Sequence, residues 1–202
     1  MDTFEAIRLR RSVKKYDPDH RLTEEEVKKL FEAAILSPTS FNMQNWRFLL
    51  VEDPELRQKI REASFNQAQV TEASLLVFLA ADLNAFKKQP ERYWRNAPEN
   101  VAKMMVEWMV GYYDGNEQLK RDEGIRSCGI AAQTLMLAAK AMGYDSCPMI
   151  GFEPEKVAEL IHLPDDHILV LMLVVGKAKE PARERPGQIP LEEVLFRDRF
   201  PD

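Results

Sequence analysis

Few strand-like runs, scattered irregularly among many helical patterns, predict a single α+β or α/β domain with a helix-rich shell. Three observations carry that expectation. Only four short runs read as extended: Trp46 to Glu52, Leu75 to Ala81, Cys147 to Phe152 and Ile168 to Gly176. Capped or amphipathic helical segments outnumber them and lie between them. No repeat, low-complexity tract or long interior linker divides the chain, so 1–202 reads as one domain, with 177–202 as an extended C-terminal arm.

In order, Thr3 to Leu9 reads as a short helix with Phe4, Ile7 and Leu9 turned inward. Tyr16-Asp17-Pro18-Asp19 is a turn. Thr23 with Glu26 forms a capping box, and Val27, Leu30, Phe31, Ala34 and Ile35 give the stripe of the helix it opens. Asp53-Pro54 opens a helix with Pro in its first turn. Phe65 to Ala73 reads as another helix, and Leu75 to Ala81 as a buried strand. Ala85 to Pro98 has no clear period and reads as loop or mobile helix. Val101, Met104, Met105, Trp108 and Tyr112 lie three or four apart, an amphipathic helix suited to core, to a subunit interface or to roofing a flat ligand. Glu123 to Met142 is the longest helix, alanine-rich, buried on most sides and closed by Gly143. Cys128 on it reads as a small core residue. Glu153-Pro154 begins the last helix, and Ile168 to Gly176, without alternating polar residues, reads as a fully buried strand. The arm carries Leu191, Val194, Leu195, Phe196 and Phe200, which it cannot bury alone, so it must dock on the body or on a second subunit.

Composition excludes some functions. The chain is 45% hydrophobic and 30% charged, with a formal net charge of -5, so it is not built as a general nucleic-acid binder. The N-terminus has no secretory pattern and no apolar run is of membrane-spanning length; the expected location is the cytoplasm, with no membrane partner. Two cysteines and three isolated histidines make no metal-ligand pattern.

Against this acidic background, Arg10-Arg11-Ser12-Val13-Lys14-Lys15-Tyr16 gathers four cations and a hydroxyl. Guanidinium forks and ammonium groups suit phosphate oxygens. The same run also fits a solvated charge cluster or a nucleic-acid contact. Ser37 to Asn45 is a loop of amides and hydroxyls, fit to bond a polar heterocycle or merely its own turns.

Taken together, these stretches resemble the nitroreductase family of flavoproteins. The basic run is similar to the family's opening signature, and Ser37-Pro38-Thr39-Ser40-Phe41-Asn42-Met43-Gln44-Asn45-Trp46-Arg47-Phe48 to its second. Phe65-Asn66-Gln67 before a buried strand, Pro148-Met149-Ile150-Gly151-Phe152 after the alanine-rich helix, and the Arg-rich arm follow in the same order, so the match spans nearly the whole chain.

The resemblance implies a nitroreductase-like α+β fold, a central mostly antiparallel sheet wrapped by helices, with the arms exchanged across a homodimer. It implies FMN at the dimer interface. Arg10 and Ser12, with Arg11 beside them, match phosphate and ribityl contacts, and Lys14 the cation near N1 and O2 of the ring. Pro38, Thr39, Ser40, Asn42 and Gln44 match the loop reaching the flavin from the other subunit. Asn66 matches an amide on the pyrimidine edge. Ile150 and Gly151 match the backbone facing N5 and O4, and Arg183 and Arg185 the pair closing on the phosphate. Gln69 stands where some members carry a second Lys, Asn45 where Pro often precedes the Trp, and Ile150 where several have Glu. The implied activity is ping-pong hydride transfer through flavin N5, from transiently bound NADH or NADPH to nitroaromatics, quinones or similar flat acceptors. Dehalogenation or dehydrogenation on the same fold, and flavin binding without turnover, are the alternatives.

Overall fold

In this computed structural model, which describes residues 1–201, the apolar runs form β1 (Trp46–Leu50), β2 (Leu75–Asp82), β3 (Asp145–Met149) and β4 (His167–Gly176). They make one antiparallel sheet in the order β1-β2-β4-β3. Apolar side chains on both faces need cover on both faces, and five of the seven helices among the described residues supply it: of α1 (Thr3–Leu9), α2 (Glu24–Ala34), α3 (Pro54–Glu62), α4 (Gln69–Glu72), α5 (Glu99–Tyr113), α6 (Glu117–Ala141) and α7 (Pro154–Leu160), α1 packs on α6, and α5 on α6 and the segment before it. The fold is α+β, an antiparallel sheet wrapped by helices, as expected.

One face packs on α2 and α6, through Leu30, Ala34, Ala131 and Leu135 against Leu79 and Leu173. The other packs on α3, α4 and α7, through Ile60, Val70 and Val157 against Phe78 and Met172. A third cluster, around Met43, Phe86, Tyr93, Met109 and Tyr113, ties the segment between β2 and α5 to the loop before β1. Cys128 is fully buried, as read from the sequence, and burial pushes its thiol up to about 12.

Helix ends follow local chemistry. Thr23 and Glu26 form the capping box of α2, the Thr23 N–H donating to the Glu26 carboxylate at 2.8 Å. Asp53 caps α3 ahead of Pro54, and Gly143, at φ 89, takes the left-handed position after α6. α6 approaches the sheet closely at Gly124, where an added Cβ would lie 2.7 Å from the Cβ of Ala81.

Several elements differ from expectation. α6 begins at Glu117, not Glu123, because Asn116 caps it and its first turns are too polar to show an apolar period. Only Gln69–Glu72 of the expected 65–73 helix is helical; Phe65 and Asn66 both sit at φ 54, in a left-handed turn. Residues 85–98 form two short 3-10 turns, Ala85–Lys87 and Pro90–Trp94. β4 is not buried throughout: β3 pairs only with Met172 to Gly176, so the first five residues have a neighbour on one side alone. Phe4 and Ile7 do not turn inward; Ala6 is the residue that α1 buries. The apolar residues of the arm, Leu191 to Phe200, lie exposed on this protomer, and the arm's last residue, Asp202, is outside the described residues. No described helix is long and apolar enough to cross a membrane.

Replacing Gly124 by Ala sets helix propensity against crowding. Alanine gains about 1 kcal/mol as a helix former, but the 2.7 Å approach to Ala81 makes overpacking dominate, with a cost of about 1–3 kcal/mol. Denaturant unfolding of Gly124→Ala is expected to show net destabilisation; a midpoint at or above wild type would contradict the packing.

Candidate functional site

Val13 and Tyr16 are buried, and this turns Ser12, Lys14 and Lys15 outward along the free edge of β3. The segment is fastened there by a bridge between Ser12 and Ser146, in which the Val13 N–H donates to the Ser146 carbonyl at 3.2 Å. That bridge is parallel; Tyr16 forms an antiparallel one with Ala178, in which the Lys179 N–H donates to the Lys15 carbonyl at 3.0 Å. The basic run thus lies between the sheet edge and the start of the arm.

The cations are gathered by the C-terminus of α1, whose last carbonyls have no helical partner. Arg11 Nη1 donates to the carbonyls of Arg8 at 2.6 Å and Arg10 at 2.9 Å. Arg185 reaches back from the arm and donates to the carbonyls of Arg10 at 3.2 Å and Ile7 at 3.4 Å. Arg10 stands between them, its Nη1 buried without a hydrogen-bond partner. Burial first, then Arg185 and Arg11, push its proton affinity below the usual guanidinium range. Lys15 pairs with Glu180 at 2.8 Å; none of the three guanidinia takes part in an ion pair among the described residues. Arg183 lines a small cleft with Ser12 and Lys14. Convergent like charge with an unfilled buried donor fits a multivalent oxyanion such as a phosphate ester.

At the adjoining end of β3, Lys14 Nζ lies 3.4 Å from Cys147 Sγ, and Ile150 is 81% exposed. Gln67 Nε2 donates to the Gly151 carbonyl at 2.9 Å, and Gln69 Nε2 to Gln67 Oε1 at 3.1 Å. A Cβ on Gly151 would come within 3.2 Å of Gln67 Nε2, so glycine permits this approach. Gln69 is buried and holds Gln67; Asn66 is exposed on the left-handed turn. The structure therefore brings together Arg10, Arg11, Ser12, Lys14, Ile150, Gly151, Arg183 and Arg185, with Gln67, Gln69 and Asn66 beside them.

Pro38, Thr39, Ser40, Asn42 and Gln44 are elsewhere. Their loop leads into β1, the opposite sheet edge, three strand spacings or about 14 Å from β3. Phe41, Asn42 and Gln44 have φ of 52, 53 and 47, three left-handed residues in four positions. Such backbone persists only when its surroundings impose it. Here Phe41 and Met43 enter the third core cluster, Thr39 Oγ1 accepts from the Gln44 N–H at 2.9 Å, and Asn42 Nδ2 donates to the Tyr93 carbonyl at 2.8 Å. The loop is stiff and presents its amide-rich surface outward.

Gln67, Ser146 and Cys147 were not read as site residues from the sequence. Gln67 adjoins Asn66 in a quoted motif, which was the available signal; Ser146 and Cys147 join the site through strand pairing, which no local motif records. A second polar group closes the far end of β2. Asp82, only 3% exposed, receives Arg47 at 2.8 Å and Lys88 at 2.9 Å, and Lys88 also reaches Asp166 at 2.6 Å. His167 Nδ1 lies 2.7 Å from Asp166 Oδ1. The Lys88 ammonium lies between the two carboxylates and ties the 85–98 segment to the sheet.

Residues 7–177 match the nitroreductase family model. The chain is 60% identical over 200 residues to protein DrgA of a Synechocystis strain, covering 96% of this chain and 95% of that one. It is 32% identical to MhqN of Bacillus subtilis, a candidate NAD(P)H nitroreductase, over 90% of this chain and 91% of the other. Among solved structures, a candidate nitroreductase from Exiguobacterium sibiricum in complex with FMN superposes with a TM-score of 0.90 at 30% identity, covering 97% of each chain.

Lys88 above all, then His167 and Asn84, hold the Asp166 carboxyl well below the usual carboxylate range, against the opposing effect of burial. A depressed acid gives stability that is present above its unfolded value, about 3.9, and is lost as pH falls toward the folded one. Thermal melts should therefore show Asp166→Asn losing less stability than wild type between neutral pH and pH ~3; an unchanged pH dependence would contradict the assignment.

Proposed function

The chain belongs to the nitroreductase family, and on that premise we propose that two copies of it form an FMN-dependent NAD(P)H oxidoreductase. When bound, FMN would supply a two-electron carrier between NADH or NADPH and a nitroaromatic, quinone or similar flat acceptor. The single observation behind this reading is the convergence of Arg10, Arg11 and Arg185 around a buried, unpartnered guanidinium N–H.

In this reading Arg10, Ser12, Arg183 and Arg185 hold the phosphate. Arg11, fixed on the α1 carbonyls, keeps Arg10 in place. Lys14 sets a positive charge beside the pyrimidine side of the ring, where a reduced flavin gathers negative charge. Asn66 bonds the ring's edge. The Ile150–Gly151 backbone faces the reacting side, its position fixed by Gln67 and, behind it, Gln69. Gln69, an amide where a second cation would strengthen that field, leaves Lys14 as the principal charge near the ring.

The loop carrying Pro38, Thr39, Ser40, Asn42 and Gln44 lies too far across its own sheet to join this set, and we assign it to the flavin of a second copy. Exposed apolar side chains support that assembly: Phe4 and Ile7 on α1, Trp108 and Tyr112 on α5, Ile125 and Ile130 on α6, and the apolar end of the arm. A homodimer covers them and places the stiff loop of one copy over the β3 end of the other.

Anaerobic mixing of the yellow protein with NADH and with NADPH tests the activity. We expect at least one nucleotide to bleach the flavin and a quinone to restore its colour; failure of both nucleotides would contradict the reading. Arg10→Ala should weaken FMN retention by roughly 1.5–3 kcal/mol, the range for a hydrogen bond to a charged group. Full retention of FMN by that variant on dialysis would remove the phosphate assignment.

A further inference from the structure

Between the 38–44 loop and the 3-10 turn Pro90–Trp94 lies a cavity of about 490 Å³ that the proposed function leaves without an occupant. Arg47, Arg92 and Arg95 line it with Asn42, Gln44 and Asn96, and no carboxylate side chain is part of its wall. In a chain of net charge -5, this is a concentrated positive region. Its volume falls within the range of about 300–1,000 Å³ common for small-molecule sites.

The three arginines differ. Arg47 is partly neutralised by Asp82, and its Nη1 donates to the carbonyls of Gln44 and Trp46, so it serves mainly as the floor. Arg92 lies over the Tyr93 ring, its carbon 4.9 Å from the centroid, and donates to the Tyr93 hydroxyl at 3.0 Å. Tyr93 is itself fixed by donating to the Ala85 carbonyl at 3.1 Å. Arg92 and Arg95 take part in none of the ion pairs among the described residues. Arg92 and Arg95 also border a neighbouring groove that carries Glu91, Glu99 and Glu107, and neither forms an ion pair with these carboxylates. Two available guanidinia, one oriented by a buried tyrosine, suit an oxyanion with several oxygens.

Its position narrows the ligand. Asn42 and Gln44 belong both to this wall and to the loop assigned to the partner's flavin. On the homodimer reading proposed above, an anion held here would lie beside the ring, on the side of the copy that does not hold the flavin phosphate. We propose that this pocket holds the phosphate groups of the nicotinamide dinucleotide while its nicotinamide lies on the flavin, an inference that rests on the oxidoreductase reading. A carboxylate-bearing acceptor offers similar oxyanion chemistry and is the alternative source to be separated by experiment.

The test uses the FMN-loaded protein in anaerobic stopped flow. The double variant Arg92→Ala/Arg95→Ala is compared with wild type and with Arg92→Lys/Arg95→Lys, and thermal melting establishes that each is folded. The half-saturating nucleotide concentration should rise about 10- to 100-fold in the alanine variant, while the limiting bleaching rate stays within about twofold. The lysine variant should recover part of the loss. A rise for NADPH alone assigns the 2′-phosphate, and an equal rise for NADH assigns the diphosphate; both support the proposal. Reoxidation of the reduced protein by a neutral quinone and by a carboxylated nitroaromatic gives the other arm. Unchanged nucleotide dependence, or a loss confined to the carboxylated acceptor, overturns the proposal. Wild-type protein that neither nucleotide bleaches would instead remove the underlying oxidoreductase reading.

Discussion

The arrangement around Arg10 depends on an electrostatic imbalance. α1 ends in unpartnered carbonyls, and these fasten Arg11 and Arg185 on either side of a third guanidinium that is partly buried. Placing like charges together out of water is costly unless an anion joins them. The chain bears this cost at the N-terminal segment and the arm, held together by backbone bonds at Tyr16–Ala178 and Lys15–Lys179. Sequence-distant parts are thus locked into one anion cradle. In the proposed reading, a phosphate monoester would supply the missing charge and several acceptors at once.

The rest of the candidate site is positioned by the sheet. Strand order β1-β2-β4-β3 places the amide loop and the basic run on opposite edges. In the proposed homodimer, a ligand touched by both would lie between two copies. The exposed apolar side chains on α1, α5 and α6 and at the end of the arm are the surface that such a pairing would cover. Rigidity of the loop fits the same arrangement. Three left-handed residues, imposed by the third core cluster, cannot adapt freely to a partner and must be built in shape beforehand.

Much of the fold was legible in the sequence because it rests on local rules. The Thr23–Glu26 capping box, the Asp53-Pro54 start and the Gly143 stop each act within a few residues. The β2 run is apolar on both faces and is buried throughout. What was misread depends on distant partners. Half of β4 is less buried than its composition suggests, because β3 is shorter than its neighbour. Phe4 and Ile7 resemble core residues but face outward, and Ala6 is the residue α1 buries. The start of α6 and the Phe65–Asn66 turn were hidden because polar first turns and left-handed residues leave no hydrophobic period. The candidate site was visible through the resemblance of its motifs, whereas Ser146, Cys147 and the Arg92–Arg95 pocket emerge only when strands and loops are placed side by side.

The central claim is that the arginine cradle selects a phosphorylated flavin. Titration of flavin-free protein with FMN and with riboflavin, followed by quenching of flavin fluorescence, tests it most directly, because the two ligands share the ring and ribityl chain and differ in the phosphate. The account predicts that riboflavin binds more weakly by about 100-fold or more, the loss expected for charge-assisted bonds to the phosphate. Equal affinity for the two would contradict it.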